Sequence, residues 1–246
     1  MKLFSISTRQ TRTLKNDWFL KTLQDDWDVH IFELDDAPTG EGDYQSESWY
    51  FCIEKKIGIL VQAIRDNWGD IILWADIDIQ FFRPCTQLVL DHMQGHDLAC
   101  QMWHRELGDV NTGFMAIRCN ERSLAFFEAA RETPFEGRAF ADQDVINDLL
   151  DDGVPPIRWT RFPRQIYQIK LGRVPGDIAL HHACGTPAPH VKDGRTVTSI
   201  DLKIEQLVSV RTLAEYSPLQ RAAVRVTGPV VRRVKRLGAA LGLAGG

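Results

Sequence analysis

The chain contains no Cys-x-x-Cys pair, and its five cysteines, Cys52, Cys85, Cys100, Cys119 and Cys184, are scattered and odd in number. That pattern excludes a zinc knuckle and a disulfide framework, and it favours reduced thiols in the cytosol. No run approaches the about 18 apolar residues of a membrane-spanning helix, and Met1-Lys-Leu-Phe-Ser5 has no apolar signal core. An excess of positive charge is also missing. The net charge of -4 argues against a general nucleic-acid binder. Met1–Arg12 holds no glycine, so the Gly-rich, basic phosphate loop that usually opens a nucleotidyltransferase or sugar-nucleotide pyrophosphorylase is absent. No internal repeat is visible. What remains is an ordinary folded composition, 44% hydrophobic and 25% charged over 246 residues, enough for one large core or two small ones.

The most informative segment is Asp70-Ile-Ile-Leu-Trp-Ala-Asp76-Ile-Asp78. A continuous apolar run of this length fits a parallel strand covered on both faces. Ligands of open α/β sheets collect at the carboxyl ends of such strands. Two carboxylates there, one residue apart, suit a divalent cation that is also bound by a substrate diphosphate. Asp26-Trp-Asp28 and Asp142-Gln-Asp144 share the spacing, but neither follows a strongly apolar strand, so the triplet alone is weak. Turn formation or helix capping by the aspartates competes with the metal reading.

The pattern predicts a strand over Lys2–Ser7, a helix from Thr8 to about Gln24, and a strand over Val29–Leu34. A long helix over Glu47–Trp68 follows, with an apolar stripe through Trp49, Cys52, Ile53, Leu60 and Ile64. Further strands are expected over Asp97–Met102 and Gly113–Arg118, then helices through Leu124, Phe127 and Ala130 and over Phe140–Leu150. Short strands near Ile157–Thr160 and Ile178–His182 precede a helix over Ser199–Tyr216 with Ser199 near its cap. Alternating elements followed by a less regular second half imply an α/β sandwich with a mixed sheet. Lys56 falls within the apolar stripe, where a lysine either snorkels to water or meets an anion. His181 and His182 in a strand would point to opposite faces, so only one of them can reach a site. Trp103 and His104 either line a pocket or pack in the core.

Taken together and in order, these segments resemble the nucleotide-sugar glycosyltransferases of GT-A fold, in particular the retaining, metal-dependent group around family 8. The segments are Lys56, Trp-Ala-Asp76-Ile-Asp78, Val110-Asn111-Thr112-Gly113-Phe114, Asp142-Gln143-x-x-x-Asn147, and Leu-His181-His182-x-x-Gly185 with Lys192 beyond. They span roughly residues 1–195, and the interval from Gly185 to Lys192 is longer than the family's. The resemblance implies a Rossmann-type αβα sandwich with a mixed, mostly parallel central sheet. It also implies transfer of a sugar from a UDP- or GDP-sugar to a hydroxyl, with retention. Mn²⁺ or Mg²⁺ would be held by Asp78, by Asp76 (or Asp76 on the ribose), and by His182 with His181 the alternative. Ser7, Thr8, Lys56, Asp76, Asn111, Thr112, Gly113, Gly185 and Lys192 would contact the donor. Asp142 would meet the sugar's hydroxyls and Gln143 the anomeric carbon; on sequence alone an aspartate at a helix start is favoured as a cap or by the helix dipole. A catalytically silent binding protein of the same fold is the non-enzyme alternative.

The expected organisation is a transferase domain over residues 1–216, nucleotide-binding to about 118 and acceptor-binding from 119, with a basic tail over 217–246. Residues 219–246 carry Arg221, Arg225, Arg232, Arg233, Lys235 and Arg236 and no acid, interspersed with valines. Such a tail suits an anionic membrane surface, although Gly228-Pro229 would interrupt a helix. It suggests a cytoplasmic protein, peripheral at the inner face of a membrane, whose acceptor is a glycan or is lipid-linked, as in bacterial surface glycan synthesis.

Overall fold

The computed structural model describes residues 1–35, 46–104, 108–135, 138–186, 190–192 and 194–216. The chain opens with β1 (Lys2–Ser7), a π-helical stretch (Leu14–Leu20) and β2 (Asp28–Glu33). Helix α1 (Glu47–Asp66), β3 (Ile71–Ala75), the short β4 (Ile79–Phe81) and α2 (Thr86–His92) follow. The middle forms β5 (Leu98–Met102), β6 (Val110–Arg118), α3 (Glu121–Glu132) and α4 (Asp142–Asp152). Then come β7 (Trp159–Arg161), β8 (Ile166–Gln168), β9 (Leu180–His182), the pair β10 (His190–Lys192) and β11 (Arg195–Val197), and finally α5 (Ser199–Glu215).

The central sheet has the order β2-β1-β3-β6-β5-β7. Only β6 runs antiparallel to its neighbours; the remaining pairings, β1 with β2 and β3 and β5 with β7, are parallel. This is the mixed, mostly parallel α/β architecture that the sequence predicts. β3 is apolar throughout because both of its faces are covered. Ile72 and Trp74 pack with Ile57, Leu60 and Ile64 of α1, Phe126 and Phe127 of α3, and Val145 and Ile146 of α4. Leu73 and Ala75 face the other way, toward Phe19, Phe81, Phe162 and Leu207. Each such fully buried Leu, Ile or Phe contributes about 1.5–3 kcal/mol over an exposed one.

A second sheet, β4-β9-β8, lies against the carboxyl end of β3. Its register is what builds the site: Ile79 pairs with His182 and Gln80 with His181. The main-chain N–H of Ala183 donates to the carbonyl of Asp78 at 3.0 Å. Pairing of two three-residue strands thus brings the acidic pair beside the histidines across a hundred residues of sequence.

Helix starts follow local chemistry. Ser46 caps α1 by accepting from the Trp49 N–H. α5 opens on a reciprocal capping box between Thr198 and Asp201, so Thr198 and not Ser199 is its cap. The expected Thr8–Gln24 helix narrows to the π-wound stretch, and Asn111 lies inside β6 and not ahead of it. β4, α2, β8, β10 and β11 escape the sequence pattern. Three-residue strands are too short for alternation to show.

Candidate active site

The carboxyl ends of β1 and β3 open into a cavity of about 480 Å³. Asp76, Asp78, Asn111, Thr112, Asp142, Gln143, His182 and Gly185 all line it, with Thr8 and Lys56. Segments far apart in sequence therefore converge on one space.

At its floor, His182 Nε2 lies 3.2 Å from Asp78 Oδ1 and 3.7 Å from Asp76 Oδ2. The orientation of the ring is fixed from behind. Gln101 Nε2 donates to the Tyr167 carbonyl (3.1 Å), which leaves Gln101 Oε1 to accept from His182 Nδ1 at 2.8 Å. With the proton on Nδ1, Nε2 presents a lone pair to two carboxylates. Asp78 Oδ1 is buried and has no hydrogen-bond donor of its own. Three acceptors facing one another call for a cation between them, and these three residues alone among the described ones form such a cluster, with ligand atoms within 4.8 Å of each other. Two ligands on adjacent octahedral positions of a Mg²⁺-sized ion stand about 3.0 Å apart, so the donor set fits Mn²⁺ or Mg²⁺. Without an ion the trio is balanced by protons. Burial opposes a charged His182, but Cys184 and Asp78 outweigh it and raise its pKa well above the ordinary value.

His181 takes the other face of β9. Its Nδ1 is 3.1 Å from Gln80 Nε2, and its ring tilts against Tyr167. Burial, and then the charge of His182, push its pKa down to about 3. It belongs to the core.

Gly113 sits under the His182 ring. A Cβ built there would be 2.1 Å from His182 Cε1, so the glycine admits the imidazole. The register between β5 and β6 also shifts at Cys100/Gln101, an irregularity of the kind that re-aims side chains; Gln101 reaches His182 from there.

Lys56 does not snorkel. It is buried, and its Nζ lies 2.9 Å from Asp142 Oδ2, 3.4 Å from Asp76 Oδ1 and 3.0 Å from the Thr112 carbonyl. Burial disfavours its charge, yet Asp142 and Asp76 more than compensate and raise its pKa. Asp142 does not cap α4: the cap position is Ala141, and no side chain serves it. Its carboxylate turns instead to Lys56 and to the Thr112 hydroxyl (2.8 Å). Ala141 adopts φ 43 and ψ -106, strain of about 1–3 kcal/mol held where the chain aims Asp142 and Gln143 inward. Gln143 Oε1 accepts from Asn111 Nδ2 at 2.7 Å, and Asn111 Oδ1 accepts from the Gly113 N–H. Asn147 clamps Val110 by bonds to both its N–H and its carbonyl.

The remaining expected residues are placed as follows. Thr8 lines the cavity, whereas the Ser7 hydroxyl, fully buried, is 3.3 Å from Thr11 Oγ1. Gly185 lines the cavity with φ +70. Lys192 ends β10, but its side chain, like residues 217–246 and the basic tail, falls outside the described residues. Trp103 is buried at the cavity wall, where it packs on His104 and Phe140.

Two groups escape the sequence reading. Lys203 of α5 donates to Asp78 Oδ2 at 2.6 Å, and with His182 it holds that buried carboxylate far below the ordinary range despite desolvation. Gln101 is the other; a glutamine in the apolar strand Leu98-Ala-Cys-Gln-Met102 was the signal, because a buried amide must find partners.

The cavity thus sits at the strand ends with an acidic pair and a histidine at its floor, and comparison with known proteins supplies the family. The sequence model of the nucleotide-diphospho-sugar transferase family matches residues 29–188. The protein belongs to that family, and its fold matches those of solved GT-A glycosyltransferases. Its structure aligns with the galactosyltransferase LgtC in complex with donor and acceptor sugar analogs at TM-score 0.54 and 12% identity, over 91% of this chain and 99% of LgtC. It also aligns with a glycosyltransferase involved in glycosylation of the major capsid of PBCV-1, at TM-score 0.52 and 14% identity, over 76% of this chain and 95% of that one. The uncharacterized protein At1g28695 of Arabidopsis thaliana is 21% identical over 117 residues, 46% of this chain. The match spans only 34% of that plant protein's length.

Proposed function

We propose that the protein transfers a sugar from a nucleotide diphosphate sugar, a UDP- or GDP-sugar, to an acceptor hydroxyl. The observation that carries this reading is the convergence of His182 Nε2 and two carboxylates at a strand end, with ligand atoms within 4.8 Å of one another. Mn²⁺ or Mg²⁺ held by Asp76, Asp78 and His182 would offset charge on the departing diphosphate. Lys203, already at Asp78, sits where it can also meet a phosphate oxygen. Asn111, Thr112 and Asp142 bind the donor sugar's hydroxyls, Gln143 lies beside the anomeric carbon, and Lys56 acts by holding Asp142 and Asp76 in place. Thr8 and Gly185 complete the surroundings of the donor, with Lys192 as a further phosphate contact, while Ser7 and Gly113 act from behind them, Gly113 by admitting the His182 ring.

Transfer with retention is the stereochemistry this wall favours. Among the described residues the carboxylates lining the cavity are Asp76, Asp78 and Asp142, and each already pairs with a cation or imidazole. None of these three is left to deprotonate an acceptor. The acceptor oxygen then bonds the anomeric carbon as the carbon–phosphate oxygen bond breaks, and its proton passes to the departing phosphate. No helix among the described residues is long and apolar enough to cross a membrane. We read the basic tail as the contact with the cytoplasmic face of a membrane, and the acceptor as a glycan or lipid-linked glycan of a bacterial surface.

Calorimetry with UDP and GDP in Mn²⁺ tests the assignment. Wild type should bind one of them only with metal, and Asp78→Ala should bind it at least about tenfold more weakly, since removing a ligand costs no less than removing its supporting shell. Equal, metal-independent affinity in both proteins would refute it.

A further inference from the structure

Three lysines line the cavity, Lys56, Lys170 and Lys203. Two of them face carboxylates. Lys170 faces none: among the described residues no acid pairs with it, and its Nζ stands instead 3.6 Å from the ring centroid of Trp103 and 5.4 Å from that of Phe140. The two rings meet edge to face, with centroids 5.4 Å apart. Desolvation lowers the lysine's pKa, and the nearby Cys184 offsets this only in part.

The position of this ammonium is built. Lys170 lies on a single 3-10 turn, Ile169–Leu171, capped by Gln168, whose Oε1 accepts from the Lys170 N–H at 2.8 Å. Gln168 is itself fully buried. The turn closes on Gly172 at φ 86, and the Lys170 Cε approaches Gly185, coming within 3.5 Å of where a Cβ would stand. Phe140 is two residues from Asp142 in sequence, so the aromatic corner adjoins the groups assigned to the donor sugar. Trp103 is buried and the ammonium already covers its ring, so the half-buried Phe140 is the ring that can offer an apolar surface to the C–H face of a pyranose, and diphosphates have no such face. A cation set there, with no carboxylate among the described residues to neutralise it, is matched to an oxyanion on the same ligand.

We propose that Trp103, Phe140 and Lys170 form the acceptor subsite, and that the acceptor is an anionic sugar whose carboxylate or phosphate is held by the Lys170 ammonium. This rests on the glycosyltransferase reading above and adds the chemical class of the second substrate.

The test uses the full chain saturated with Mn²⁺ and whichever of UDP and GDP it binds. Methyl glucuronide and glucose 6-phosphate are titrated against neutral methyl glucoside, by ligand-observed NMR. Wild type should bind one anionic probe about tenfold more tightly than the neutral one, and the preferred probe says whether the oxyanion is carboxylate or phosphate. Lys170→Met should abolish the preference with neutral-probe and nucleotide affinities within about twofold of wild type, and Lys170→Arg should retain it. No preference in wild type, or its persistence in Lys170→Met, overturns the proposal. Loss of nucleotide affinity in Lys170→Met overturns it as well, because the lysine would then serve the donor diphosphate. Failure of wild type to bind any nucleotide diphosphate in metal refutes the underlying donor reading instead, so the two failures are distinct.

Discussion

A single methyl group at residue 113 should dismantle the metal site while sparing the fold. Gly113 has no left-handed backbone requirement, so β6 itself accepts alanine. The obstacle is the imidazole. A Cβ 2.1 Å from His182 Cε1 must move beyond the 3.4 Å limit of ordinary contact, a retreat of about 1.3 Å in a close-packed interior. His182 has little room to yield, being buried and tied through Nδ1 to Gln101 Oε1 at 2.8 Å. Metal–ligand distances tolerate only about 0.2 Å, so the ring cannot retreat and still coordinate. Displacing it should weaken Mn²⁺ binding by about 10–100-fold, or about 1.4–2.8 kcal/mol. Calorimetric titration with Mn²⁺ and paramagnetic resonance of the bound ion read this directly, with circular dichroism and melting as the check on folding. A folded Gly113→Ala that binds Mn²⁺ within about twofold of wild type would refute both the role of the glycine and the assignment of His182.

Lys203→Met removes the cation from Asp78 Oδ2, so Mn²⁺ alone should bind more tightly and the nucleotide diphosphate about tenfold more weakly; if both affinities fall together, Lys203 is simply a structural partner of Asp78. NMR of the first-formed product should show the anomeric configuration of the donor, and an inverted product would require a base that the described residues of the cavity wall do not offer. Full-length protein should bind anionic vesicles at low salt and release them as salt rises, each basic residue of the tail contributing about 1 kcal/mol near the surface; indifference to such vesicles removes the basis for a membrane-bound acceptor.

Much of the site is legible in sequence because it obeys local rules. Asp76 and Asp78 follow a strand apolar on both faces, and alternation along Leu180–His182 sends the two histidines apart. Lys56 stands out as a charge in an apolar stripe, though the anions it meets are the protein's own. What could not be read depends on register between distant segments. Lys203 lies among the polar residues of α5 and looks solvated until that helix is packed over Asp78, 125 residues away. Gly113 is visible as a point of close approach, but only the fold shows that the approaching group is His182. Lys170 gives no sign in sequence, since its meaning comes from the two rings beneath it and from the lack of a carboxylate partner among the described residues.

The pairing of β4 with β9 also sets the order in which the protein becomes competent during its synthesis. Ile79–Phe81 leaves the ribosome long before Leu180–His182, and at usual elongation rates the interval is about 5–20 s. Through that time β4 is an uncovered edge, and Asp78 lacks both His182 and Lys203. The nascent chain therefore holds the acidic pair but not the imidazole that would close it around a cation. It also carries a strand edge open to wrong partners. Completion of β9 removes the two liabilities in one step, so a chain cut short before Leu180 should be both inactive and prone to aggregation.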